Sequence, residues 1–370
     1  MANNKGNVTK IAWDFNKISP IFVYSVATFF LMDFAFFINN IVDTLHFTYL
    51  ESFILLGIPF IGRMATPFVY PPMAKIGVPR LALLSISIMA LISFSMAYEN
   101  QFIELFISRF IIGILFGTAT SAAIETSSFT KNRIVIGLTM GGWAIGWLLA
   151  AVLFMFLKSW ILVSLAGAVF LPSFIFSKKH NVISPLVRKS HLDFSIKVFI
   201  VFLLGFTPAY ILEIIPAYLG NSSFVESIVA YSIAIVAYLA LPYMVNRFSI
   251  TRIIYSTLLV ILVSGILFFL TKDMAMIVIF TAFGLGMNSL LPIISRRLDI
   301  EPEKIGPSMN FSAISGFLLP VILTVGIEYL NIIVAILLSS IGMFIFIDFE
   351  FNRRLPKRNS GKRLRYNLIK

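Results

Sequence analysis

Charge is scarce in this sequence, so a charged side chain inside an apolar run is the first place to look for chemistry. Of 370 residues, 12% are charged and 59% apolar, and Asp33, Arg63, Arg109, Glu125 and Glu213 fall within long apolar stretches. An ionisable group deep in a membrane costs at least about 2.5 kcal/mol by insertion scales, so each should face a partner or a wet cavity. Asp33 lies about 13 residues into the first apolar run and Arg109 about seven into the fourth, which runs the other way. At about 1.5 Å per residue both come out roughly 10 to 15 Å below the same surface. Matching depth makes them candidates for each other. Burial favours the neutral carboxylic acid and a nearby guanidinium favours the carboxylate, so solute binding or helix motion could tip a proton on or off. A static ion pair, or an arginine reaching for the interface, is the plainer alternative.

The other intramembrane polar groups carry less specific signals. Arg63 sits about 15 residues into the second run, where a structural salt bridge or snorkelling competes with contact to an anionic solute. Glu125, at the end of the fourth run, is placed for a gate network with Arg133 and the basic turn at 75–80. Glu213 is flanked by Pro208 and Pro216, which suits a kinked, cavity-lining helix. Asn39, Trp143, Trp147 and Asn288 could bind a solute by hydrogen bonds or ring stacking, although packing or lipid contact is the simpler role for the tryptophans. Gly113 with Gly117, and Gly137 with Gly141, are spaced by four and let membrane helices approach closely. No Gly-Lys-Ser phosphate loop is present, and His46, His180 and His191 form no metal pattern. The absence of cysteine excludes disulfides, thiol catalysis and thiolate-bound metal. The expectation is therefore neither an enzyme nor a metal or cofactor protein.

These residues need helices long enough to cross a bilayer core of about 30 Å, roughly 20 apolar residues each. Such runs fall near 20–42, 48–69, 81–98, 102–127, 133–157, 159–177, 195–219, 224–245, 251–271, 274–295, 305–328 and 331–349. The expected fold is an all-α polytopic membrane protein with twelve spans. Its parts are a polar N-terminus (1–19) retained in the mature chain, six spans (20–177), a polar linker (178–194), six spans (195–349) and a basic tail (350–370) near anionic lipid heads. The net charge of +12 does not point to nucleic acid. Apart from Lys158 and Lys272 outside, and Arg63 and Arg109 within spans, every Lys and Arg falls on one side. That side is expected to be the cytoplasm, with both termini in it.

The two parts of the chain share features about 170 residues apart. The turn after the second span reads Ala74-Lys75-Ile76-Gly77-Val78-Pro79-Arg80, and that after the eighth reads Asn246-Arg247-Phe248-Ser249-Ile250-Thr251-Arg252. Spans five and eleven open with Ile136-Gly137 and Ile305-Gly306. With Arg109, Gly113, Gly117 and Glu125 in the fourth span, this pattern resembles the major facilitator superfamily over nearly the whole chain. The turns depart from the family's motif: Tyr70 and Ala74 stand where it has Gly and Asp, and the second copy has Pro242 and Asn246. The resemblance implies two pseudo-repeated six-helix bundles rocking about a midplane site, in a plasma-membrane protein expected to be monomeric. It implies a proton-coupling pair, Asp33 and Arg109, and a cytoplasmic gate of Lys75, Gly77, Arg80, Glu125, Arg133 and Arg247. The expected function is proton-coupled symport of a small polar metabolite such as a sugar or organic acid. Proton-coupled efflux of apolar cations is the alternative, and a non-transporting receptor or scaffold a third. Partners are the solute, protons and the lipid bilayer.

Overall fold

The computed structural model describes residues 15–130, 132–177, 195–219, 224–271, 273–315 and 328–354. Every regular element among them is helical. In chain order these are α1 (Phe15–Phe36), α2 (Ile38–Leu45), α3 (Tyr49–Met64), α4 (Thr66–Met73), α5 (Val78–Met96), α6 (Phe102–Thr130), α7 (Arg133–Leu157), α8 (Trp160–Ala166) and α9 (Ser173–Ser177). From residue 196 onward come α10 (Ile196–Leu219), α11 (Phe224–Met244), α12 (Ile250–Thr271), α13 (Met274–Asn288), α14 (Leu291–Arg297), α15 (Pro302–Phe311) and α16 (Glu328–Arg354).

Among the described residues, eight helical spans are long and apolar enough to cross a membrane, and a ninth is the bent pair α3–α4. The eight lie in α1, α5, α6, α7, α11, α12, α13–α14 and α16. The expected sixth and seventh spans hold shorter apolar helices, Trp160–Ile175 and Ile196–Leu212. The expected eleventh begins as α15 and passes beyond the described residues after 315.

Local chemistry sets where the helices start and break. Thr48 and Glu51 form a capping box at α3, with Glu51 N–H on Thr48 Oγ1 at 3.2 Å and Thr48 N–H on Glu51 Oε2 at 2.8 Å. Asn132 and Asp273 cap α7 and α13 in the same way, through side-chain oxygens on early backbone N–H groups. The 53° bend between α3 and α4 follows from Pro67, which has no N–H to give the carbonyl of Arg63 four residues back. The Thr66 hydroxyl donates to that carbonyl instead, at 2.5 Å. Pro292 repeats the device between α13 and α14: the carbonyl of Asn288 loses its donor, and the Ser289 hydroxyl turns back to Gly286 O at 2.5 Å. The first predicted span was one run to 42, whereas α1 stops at Phe36 and α2 restarts at Ile38.

Within the first part of the chain α1 packs on α6 and α7, and α3 and α5 pack on α6; within the second, α10 and α12 pack on α13 and α16, and α11 on α13. The two parts meet where α7 lies along α11 and where α4 and α6 lie against α15. Glycines set the closeness of that seam. A methyl on Gly137 would stand 2.6 Å from the Tyr238 carbonyl oxygen, and one on Gly306 would stand 2.5 Å from the Ser121 Cα. Gly141 faces the Tyr238 ring, whereas Gly113 and Gly117 serve the first part alone, pressing α6 onto Pro59, Arg63 and Thr66.

Candidate functional site

The two residues matched by depth are neighbours. Arg109 Nη1 stands 4.0 Å from Asp33 Oδ1, and both side chains are buried. Neither depends on the other alone. Asp33 Oδ1 accepts the Phe34 N–H at 2.6 Å, and Oδ2 accepts the Ser93 hydroxyl at 3.4 Å. Arg109 donates to three carbonyls: Leu31 at 3.0 Å, Leu55 at 3.4 Å and Phe30 at 3.5 Å. Its guanidinium also lies 4.7 Å from the Phe34 ring centre. Because an α-helix pairs the Phe34 N–H with the Phe30 carbonyl, the Asp33 carboxylate and the Arg109 guanidinium each claim one end of that link, shortly before α1 breaks. A carboxylate at the limit of ion-pair distance, with its own donors, can change its proton state without dismantling the arginine's hold on α1 and α3.

Arg63 neither snorkels nor reaches the lipid. It is buried at the seam, donating Nε–H to Asn310 Oδ1 of α15 at 2.6 Å. Its guanidinium carbon lies 4.9 Å from the Phe116 ring centre and 5.7 Å from that of Trp143, close enough for cation–π attraction. Asn310 ties the parts together further: its Nδ2 donates to Ser121 Oγ at 3.0 Å, Gly117 O at 3.1 Å and Thr120 Oγ1 at 3.3 Å, all on α6.

The tryptophans are also at the seam rather than in lipid. Trp143 and Trp147 of α7 are fully buried. The Trp147 ring lies flat on Tyr231 of α11, with centres 3.9 Å apart and planes 3° apart. Tyr231 and Tyr238 are seven residues apart and share the α11 face toward α7. Tyr231 borders Trp143, and Tyr238 borders Asn288, Tyr24 and Arg63. The Trp143–Tyr231 and Tyr238–Asn288 contacts are polar pairs set wider than a closed hydrogen bond, and Trp147 Nε1 is buried without an acceptor among the described residues.

The expected gate residues divide. Lys75, Arg80 and Arg247 are exposed, and Gly77 has the positive φ of 103° that its turn requires. Arg133 of α7 donates to Asn246 across the seam, and the buried Glu125 accepts the Tyr70 hydroxyl at 2.6 Å. Cross-seam bonds at this basic end include those of Asn310 and Arg133. The side chains of Asn39 and Glu213 lie outside the described residues.

Reading the sequence missed Tyr24, Tyr231, Tyr238 and Asn310. A signal was available: in a chain with 38 Phe and 12 Tyr, a mid-span tyrosine carries a hydroxyl that must be desolvated, where phenylalanine would carry none. No protein-family model matches the chain, and no curated protein matches it either.

Proposed function

We propose that the chain is a secondary transporter on the major facilitator plan: twelve spans in two six-helix bundles, 20–177 and 195–349, joined by a cytoplasmic linker in the plasma membrane. The bundles rock about the α7–α11 and α6–α15 seam and expose a site between them to alternate sides. The observation that carries this reading is the seam itself, where buried aromatic and polar side chains from both parts of the chain converge, Trp147 flat on Tyr231 and Arg63 bonded to Asn310. Polar side chains glue membrane helices where they close hydrogen bonds, as Asn310 does here; the Trp143, Tyr231 and Tyr238 contacts of the same seam stay wider than a closed bond and suit an interface that parts.

Asp33 serves as the proton-coupling carboxylate beside Arg109, in symport of a small polar metabolite, a sugar or an organic acid. Asp33 contacts the α1 backbone and Ser93, and Arg109 reaches α1 and α3, so a change of charge at Asp33 acts where α1 breaks. Efflux of apolar cations fits less well, because the Arg63 guanidinium lies among the seam aromatics. In proteoliposomes, a panel of labelled sugars and carboxylates should include a solute whose uptake follows an imposed pH gradient, and Asp33→Asn should abolish that dependence while leaving solute exchange. Flux that follows the gradient equally in both proteins would remove Asp33 from coupling. No flux with any solute in a folded preparation would sink the transporter reading.

A further inference from the structure

The basic end of the seam brings arginines from both parts of the chain to one place. Arg133, the first residue of α7, donates Nη1–H to Asn246 Oδ1 in the turn between α11 and α12. Arg247 is the next residue, so its Cα lies about 3.8 Å from that of Asn246, and it is exposed. Arg252 follows in the first turn of α12, also exposed, with its backbone N–H on the Ser249 hydroxyl at 3.3 Å. Among the described residues no carboxylate comes within ion-pair distance of Arg133, Arg247 or Arg252. Asn246 Oδ1 takes one of the five N–H groups that a guanidinium carries. Like charges gathered across a closed interface push it apart, and an anion shared between them reverses the sign.

The surface around these arginines is apolar. Phe129 and Ile134 flank Arg133 in the chain, Tyr243 and Phe248 flank Asn246 and Arg247, and all four are exposed. Phe129, Ile134 and Tyr243 belong to helical spans long and apolar enough to cross a membrane, where an exposed ring or aliphatic chain meets acyl chains. The ligand that suits both features is amphipathic. Its head is a phosphodiester, whose two free oxygens match the planar fork of a guanidinium, and its tails are hydrocarbon. Basic sites between membrane helices at the bilayer surface take such headgroups.

We propose that an anionic phospholipid binds at the basic end of the seam, its phosphodiester shared by Arg133 and Arg247 with Arg252 beside them, and its acyl chains along Phe129, Ile134 and Tyr243. The bound headgroup joins α7 to the α11–α12 turn and so holds the two parts of the chain together at that end. The proposal rests on the chain being embedded in a bilayer, and not on transport.

The test titrates purified full-length protein in detergent with phosphatidylglycerol, phosphatidylcholine or inorganic phosphate and counts retained lipid by native mass spectrometry. Phosphatidylglycerol should bind at least about tenfold more tightly than phosphatidylcholine, and inorganic phosphate in excess should not displace it. Arg133→Gln and Arg247→Gln should each weaken phosphatidylglycerol severalfold. Arg133→Lys, which keeps the charge and loses the fork, should fall between Arg133→Gln and the parent. Lys197→Gln removes one positive charge from the start of α10, over the Phe349 ring of α16, and should leave the affinity unchanged. The bridge has its own readout, because the chain has no cysteine: a Ser121→Cys thiol, buried where α6 meets Gly306 of α15, should react with maleimide more slowly in nanodiscs containing phosphatidylglycerol than in phosphatidylcholine alone, and Arg133→Gln should erase the difference. Equal affinity for the two lipids, displacement by inorganic phosphate, an equal loss in Lys197→Gln, or a labelling rate indifferent to phosphatidylglycerol overturns the proposal. A protein that binds the lipid and moves no solute keeps this site and loses the transporter reading, whereas gradient-driven flux without lipid preference does the opposite.

Discussion

Asn310 is the residue whose loss should most change the balance between conformations. Its amide accepts from Arg63 at 2.6 Å and donates to Gly117, Thr120 and Ser121 at 3.0–3.3 Å, and every one of these bonds crosses from α15 to α3 or α6. A bond to a charged donor contributes about 1.5–3 kcal/mol and a neutral one about 1. Since two amide hydrogens are spread over three acceptors, the neutral bonds together give about 2 rather than 3. Asn310→Leu keeps the volume, so little of its effect comes from a cavity. The conformation seen here should lose about 3–5 kcal/mol relative to one in which α15 has left α6 and water solvates the amide, a shift of about two to four decades in the equilibrium. The chain has no cysteine, so Ser121→Cys places a single thiol between Gly306 and Asn310, fully buried in this conformation. In detergent, where both faces are reachable, maleimide labelling of that thiol should accelerate at least about tenfold when Asn310→Leu is added, with helicity and elution volume unchanged. A rate within twofold of the parent would refute the assignment of Asn310 as the tie across the seam.

Two further outcomes follow from the bonds described. Arg109→Lys keeps the charge beside Asp33 but cannot fork to the Phe30, Leu31 and Leu55 carbonyls; it should lower thermal stability by about 2–4 kcal/mol, and an unchanged melting temperature would show that charge alone holds α1 against α6. Glu99, in the turn between α5 and α6, is half-buried, and desolvation, with a smaller push from Glu104, raises its carboxyl above the usual range against the Ser108 and Ser95 hydrogen bonds. A raised folded value means that the folded state holds the proton more tightly, so this group's contribution is complete below the ordinary carboxylate pKa and declines as pH rises through the raised one. Glu99→Gln should remove that decline, an effect under about 1 kcal/mol at a half-exposed site, and a melting profile with the same slope over pH 4–7 in both proteins would exclude it.

Depth was legible in the sequence because an α-helix converts residue number into distance at a fixed rate. That rate alone sets Asp33 and Arg109, 76 positions apart, at one depth, and they lie 4.0 Å apart. Rotation and neighbourhood were not legible. The composition of Trp143 and Trp147 suits a lipid face as well as a buried one, and nothing in their spacing says that α7 abuts α11. Arg63 and Asn310, whose hydrogen bond spans 247 positions, are joined only once α3 bends and α15 docks on α6. The bend is written locally, in Pro67 and the Thr66 hydroxyl, but its consequence for the aim of Arg63 is not.

The expected gate residues show how motif position and motif chemistry can part. The turns at 74–80 and 246–252 keep their basic residues and lack the carboxylate that would make those charges grip, so Lys75, Arg80 and Arg247 face solvent. The ties described at that end include an asparagine amide on three oxygens of α6, Arg133 on the Asn246 side chain, and Gly306 and Gly137 letting backbones meet. An amide tie is weaker than a buried ion pair is costly to break, and it needs no proton to release it. On the transporter reading proposed above, opening of the basic end is expected to follow release of these ties, with the proton acting at the Asp33–Arg109 pair of α1 and α6.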